Sequence, residues 1–228
     1  MNVRGGPQGV LTAVVLIVAL AGCGGGDTEP NRESGLFAAT RSGDVQAVRS
    51  LVAAGADVNE RDGAGRTPLI VAAQERMTAA ARALLDAGAD VSAADAEGET
   101  AYPFAALSDN PELVGLLLDH GADRVGTKRF GGTPLIAASD RGFVKVVRAI
   151  LARPDIPIDH VNDLGWTALL EAVILGDGGP AHIQIVGLLI DAGADVNLAD
   201  RDGVTPLRHA RVRRYFAMIT RLEAAGAK

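Results

Sequence analysis

Apolar and polar positions divide the chain into three kinds of stretch. Residues 10–20 (VLTAVVLIVAL) are almost wholly apolar, residues 24–34 (GGGDTEPNRES) hold no apolar residue except proline, and the remainder repeats one pattern. In that pattern a threonine opens a short apolar segment at Thr67, Thr100, Thr133, Thr167 and Thr205, with intervals of 33, 33, 34 and 38 residues. The segments are GRTPLIVAA (65–73), GETAYPFAA (98–106), GGTPLIAAS (131–139), GWTALLEAV (165–173) and GVTPLRHAR (203–211). About eighteen residues later comes a second apolar segment with a glycine stop: LLDAGADVS (84–92), LLDHGADRV (117–125) and LIDAGADVN (189–197). Each unit thus predicts two helices. The threonine supplies an N-cap hydroxyl, and the proline after it sits in the first turn, where its missing N–H costs nothing. Gly88, Gly121 and Gly193 are placed to stop the second helix in a left-handed cap. The Asp-x-x-Gly run ahead of the threonines makes a hairpin turn.

A period of 33 carrying these motifs resembles the ankyrin repeat, from about Ser34 to Lys228. The resemblance implies an all-α ankyrin-repeat solenoid of about six helix-turn-helix units with connecting β-hairpin loops. The units fall at roughly 34–61, 62–94, 95–127, 128–161, 162–199 and 200–228, the first lacking TPL and the first and last reading as caps. Ala pairs keep the first helices thin enough to stack. Leu-Leu and Val-Val pairs fill the core between repeats, and six units clear the minimum of about three that such arrays need. Three departures stand out. Ala101-Tyr102-Pro103-Phe104 puts proline deeper into the helix of the third unit, which predicts a kink or a shortened helix. The fourth unit replaces its glycine stop with RPDIPIDHV (153–161), whose prolines end the helix. The fifth carries extra residues, LGDGGPAHIQ (175–184), between its helices; in the family such inserts project at one edge and extend a binding surface.

The apolar run at 10–20 is too short to span a bilayer, which takes ~20 residues. Preceded by Arg4 and followed by small residues, it reads as a secretory signal. Leu20-Ala21-Gly22-Cys23 resembles the bacterial lipobox. That resemblance implies a signal peptide over 1–22, cleavage before Cys23, a diacylglycerol on its sulfur and a flexible tether over 23–33. Two or three acyl chains, at ~0.8 kcal/mol per buried CH₂, hold a protein on a membrane where one does not. Gly24 rather than Asp after the cysteine resembles default sorting to the outer membrane in diderm bacteria.

Composition narrows the function. A formal net charge of −6 opposes nucleic-acid binding, which needs a basic stripe. A single cysteine excludes an intramolecular disulfide framework and a thiolate zinc site. Chemistry is best sought in the fifth unit, where Glu171, Asp177 and His182, with Asp163 nearby, sketch a metal or acid–base site; each reads equally well as a turn or helix-surface residue. His120, His160 and His209 show no nucleophile arrangement, and Gly131-Gly132 and Gly178-Gly179 lack the lysine of a phosphate loop. Arg208, Arg211, Arg213 and Arg214 read as a solvated capping face or as a site for anionic lipid or an acidic protein.

Ankyrin proteins bind partners through hairpin tips and the exposed side of the first helices. By position, the tips offer Arg66, Glu97, Glu99, Arg129, Phe130, Leu164, Trp166, Arg201 and Val204. Positions four, seven and eight residues after threonine offer Phe104, Leu107, Glu171, Ile174 and Arg213. The expected partner-binding set is Phe104, Arg129, Phe130, Leu164, Trp166, Glu171 and Arg201, centred on units 3–5, with Cys23 lipidated. The resemblance implies a non-catalytic protein without cofactor or metal, lipid-anchored to a bacterial membrane and facing the periplasm or exterior. It also implies a protein partner of unknown identity, expected in the cell envelope. Two rivals stay open: a structural envelope protein binding peptidoglycan or its own copies, and an enzyme or metal-site protein using the insert.

Overall fold

Capping chemistry decides where each first helix begins. The computed structural model describes residues 34–126 and 131–228. The apolar run, Cys23, most of the linker, Arg129 and Phe130 therefore lie outside the described residues. Among the described residues twelve α-helices follow in pairs: α1 (Gly35–Ser42) and α2 (Val45–Ala53), α3 (Pro68–Gln74) and α4 (Thr78–Asp86), α5 (Ala101–Leu107) and α6 (Pro111–Asp119), α7 (Pro134–Asp140) and α8 (Val144–Leu151), α9 (Ala168–Ile174) and α10 (Pro180–Asp191), α11 (Pro206–Arg213) and α12 (Phe216–Ala224). Thr67, Thr133, Thr167 and Thr205 each accept a hydrogen bond through Oγ1 from the N–H of the third helical residue, at 3.3, 3.3, 3.2 and 3.4 Å. Ser34 does the same for Phe37 at 3.3 Å, so the first unit starts its helix without a TPL motif.

The expected shortening of the helix at Pro103 is not there. Helix α5 has the same seven residues as α3, α7 and α9. Pro103 is its third residue, the position whose N–H the threonine caps elsewhere in the array. Thr100 consequently makes no side-chain cap bond. Proline deletes a donor that has no intrahelical partner in any helix, so donor and cap disappear together and nothing is orphaned. Thr133→Ala is accordingly expected to lower stability by about 1 kcal/mol, and Thr100→Ala by roughly 0.3 kcal/mol or less. Urea unfolding of both variants checks this; equal losses would sink the account.

The helices form two layers. First helices stack in the order α1, α3, α5, α7, α9, α11, and second helices run in parallel order α2, α4, α6, α8, α10, α12. The stacking follows side-chain size. Ala72, Ala73, Ala105, Ala106 and Ala172 are wholly buried where first helices meet. Leu84, Leu113, Leu117, Val146, Val147, Ile185 and Leu189 fill the layer behind them. Each such buried side chain is worth about 1.5–3 kcal/mol, supplied by its own repeat and its neighbours together. Gly88, Gly121 and Gly193 adopt φ of 90°, 88° and 94°, the left-handed stop read from sequence. No helix among the described residues is long and apolar enough to cross a membrane.

Candidate functional site

The hairpin turns share one side-chain device. Asp62 Oδ1 accepts from the N–H groups of Ala64 and Arg66 at 2.9 Å each, and Asp95 and Asp200 repeat this on their own turns at 2.9–3.0 Å. In the fifth unit the residue is Asn162, whose Oδ1 accepts from Leu164 and Trp166 at 3.0 and 2.9 Å. What differs is the other end of the group. Asp62 Oδ2 takes Arg66 Nε at 2.8 Å, and Asp200 Oδ2 takes His209 Nε2 at 2.7 Å. Asn162 offers an amide instead, and its Nδ2 donates to Glu171 Oε1 at 2.9 Å. Glu171 and His209 occupy the same place, four residues after their threonines. The pairs Asn162–Glu171 and Asp200–His209 are therefore alternatives at one position, the second setting an imidazole against the carboxylate and the first an amide.

Glu171 is only 5% exposed. Burial, with the Asp140 carboxylate adding to it and the Asn162 amide working against it, pushes its carboxyl up to about 7. Burial disfavours the charged form, a like charge adds to that, and a donor to the carboxylate offsets part of it. Asp200 is the contrast: burial raises it too, but the N–H groups of Val204 and Asp202 and the His209 ring outweigh burial and hold it below the usual carboxylate range.

Glu171 lines a groove of about 470 Å³ across the third, fourth and fifth units. Apolar walls come from Pro103, Phe104 and Leu107 of α5, Ile136 and Ala137 of α7, and Leu164 at the hairpin tip. Leu107 is 42% exposed and Leu164 47%, while Phe104 is half-buried. Glu97 and Glu99 from the turn before α5, Asp140 and Arg141 from the end of α7, and Asn162 add the polar groups.

Three of the expected binding residues, Phe104, Leu164 and Glu171, meet in this groove. Trp166 is half-buried and Arg201 exposed, and neither lines it. The Arg201 stem instead covers Gly165, where an added Cβ would lie 2.4 Å from its Cγ. Arg129 and Phe130 are outside the described residues. The spacing rule carried further than the choice of aromatics: Ala137 and Asp140 stand four and seven residues after Thr133, the offsets of Phe104 and Leu107 from Thr100. Glu171 was legible by position but not by burial, and the signal for that was Asn162 in an aspartate position.

The insert in the fifth unit is bonded to the units on either side of it. Part of it lengthens α10 to twelve residues, against nine in α4, α6 and α12. The rest, 175–179, is fastened on both sides. His182 Nε2 lies 2.9 Å from the Asp140 carbonyl oxygen of the fourth unit, and Tyr215 of the sixth donates its hydroxyl to the Gly176 carbonyl oxygen at 3.0 Å. His182 Nδ1 faces Asp177 Oδ1 at 3.0 Å; the Gly179 N–H and this ring hold Asp177 below its ordinary value. The sketched metal set therefore divides, with Asp177 and His182 paired in the brace and Glu171 bonded to Asn162. Among the described residues no group of three or more His, Cys, Asp or Glu is placed to hold a metal ion. His120 Nδ1 meets the Leu116 carbonyl at 2.8 Å, and His160 Nε2 meets that of Gly131 at 2.7 Å. In the basic run Arg208, Arg211, Arg213 and Arg214 are exposed, and Arg211 pairs with Glu223 at 2.6 Å.

Comparison with known proteins bears on the whole array. The profile for ankyrin repeats in three copies matches residues 8–95, and that for the single ankyrin repeat matches residues 164–201. The ankyrin repeat protein YahD of Escherichia coli K12 is 36% identical over 189 residues, covering 83% of this chain and 94% of that protein. An ankyrin repeat domain from Acinetobacter baumannii AYE superposes with a TM-score of 0.80 at 44% identity, covering 85% of this chain and 98% of its own. A shorter match, 60% identical over 37 residues, covers 16% of this chain and 15% of Lxx09580 of Leifsonia xyli subsp. xyli, which is named an ankyrin-containing lipoprotein.

Proposed function

The chain belongs to the ankyrin-repeat family, whose arrays are scaffolds for binding other proteins, and from that premise we propose a non-catalytic adaptor. In this reading it is lipid-anchored through Cys23 to a bacterial membrane and faces the periplasm or exterior. There it holds an envelope protein against the groove of the third to fifth units. The groove is the observation that carries the reading, because it sets exposed Leu107 and Leu164 beside half-buried Phe104 on the face formed by tips and first helices. Apolar side chains gathered in a recess and open to water are the material of a binding surface. The lipobox-like Leu20-Ala21-Gly22-Cys23 supports the anchor, as does the lipoprotein name borne by Lxx09580. A tether of about ten residues restricts recognition to proteins near the membrane surface.

The test is affinity capture from envelope extracts with the full chain, run beside a Phe104→Ala/Leu164→Ala bait. An envelope protein held by the first and lost roughly tenfold or more by the second is expected, since truncated hot-spot residues cost about 2 kcal/mol or more. Retention by both baits would move the partner to another surface, and retention of cell-wall fragments alone would favour the structural reading. Labelled palmitate should enter the wild-type chain and not Cys23→Ala; equal labelling of the two would remove the anchor.

A further inference from the structure

Most fourth positions after the threonines are apolar: Val71, Phe104 and Ala137. His209 is polar, but its Nε2 is already taken by Asp200 Oδ2 within its own unit. Glu171 alone brings an acid, and the Asn162 amide that holds its Oε1 carries no charge to oppose it. The groove around it adds Glu97 and Asp140, against Arg141 as the one cation among the described lining residues, and Arg141 lies 3.8 Å from Asp140. An acidic floor between apolar walls selects a ligand with the opposite charge on an apolar stem. Lysine and arginine side chains have that form.

We propose that the groove takes an extended segment of a partner protein through one lysine or arginine side chain that pairs with Glu171, while apolar neighbours of that residue pack on Phe104, Leu107 and Leu164. The proposal rests on the groove being the partner surface and adds what the partner must present. A cation entering the groove supplies the counter-charge that the Asn162 amide does not, so the buried carboxylate becomes an asset in the complex. Recognition then depends on pH. Other titratable or charged groups on the elements around Glu171 are Asp140 and Arg141 from α7, Glu97 and Glu99 from the turn before α5, His182 from α10, bonded to the Asp140 carbonyl, and His209 from α11, bonded to Asp200. With its carboxyl pushed up to about 7, Glu171 carries its charge fully only above that pH.

A phage library of random twelve-residue peptides selected at pH 8 on the full chain in detergent micelles, with counter-selection on Phe104→Ala, tests this. Recovered peptides should carry Lys or Arg beside apolar residues. Replacing that residue by acetyl-lysine or citrulline should weaken binding to the wild-type chain roughly tenfold. Glu171→Gln should erase the difference, and moving from pH 8 to pH 6 should reduce it severalfold. Phe104-dependent peptides without a cation, or binding indifferent to its neutralisation, would overturn the proposal and leave the groove reading standing. Recovery of no Phe104-dependent peptide would overturn both.

Discussion

Glu171→Gln is expected to raise the stability of the array by about 2 kcal/mol at pH 8 and to leave it unchanged near pH 4. In the unfolded chain the carboxyl titrates near its ordinary value of 4.5, and in the fold it titrates at about 7. The folded state therefore holds the proton more tightly. As pH rises through this window the unfolded chain loses its proton first, and stability falls until both states are ionised above about 7. Glutamine fixes the uncharged form and keeps an oxygen to accept from Asn162 Nδ2. Urea unfolding at pH 4, 6 and 8 reads the effect: the wild-type midpoint should fall with pH relative to that of the variant. Parallel profiles would mean that Glu171 reaches solvent when ionised. The same substitution should weaken binding while it strengthens the fold, as expected of a residue retained for recognition rather than stability.

Gly176→Ala is expected to cost roughly 2–3 kcal/mol, a large loss for one methyl group outside a helix. An added Cβ there would stand 2.2 Å from the Ala172 carbonyl oxygen and 2.8 Å from the His182 ring, and the first of these is backbone that cannot turn aside. Relief requires moving the segment that receives the Tyr215 hydroxyl and lies next to His182, so the fifth unit would loosen from both neighbours. Gly63→Ala is the control, since nothing lies within 4 Å of its Cβ, and it should stay within about 0.5 kcal/mol of wild type. Denaturant unfolding compares the two, and amide exchange across 175–183 shows whether the brace opens. A Gly176→Ala chain as stable as Gly63→Ala would return the insert to a free loop.

These two sites mark the boundary between what one dimension carries and what it omits. The threonine caps, the glycine stops and the alternation of Ala pairs with Leu-Leu and Val-Val pairs were all readable, because each is a local requirement met within a few residues. The groove was readable in outline for the same reason: Phe104, Leu107, Glu171 and Leu164 fall at fixed offsets from the threonines. The cost of Pro103 is not legible from spacing alone, because it depends on whether the N–H would have had a partner, which its exact place in the first turn decides.

The sequence by itself determined the repeat, its period, the two-helix unit and the face on which side chains of consecutive units converge. A solenoid makes this possible because its contacts are between neighbours, so one unit's pattern predicts the next. Only the tertiary structure decided that the insert is clamped by Asp140 and Tyr215, that the groove belongs to Phe104 and Leu164 without Trp166 or Arg201, and that Glu171 is buried with an amide for company. Those outcomes depend on which atoms of separate units come within hydrogen-bonding distance and which are screened from water, and both are set by stacking rather than by spacing along the chain.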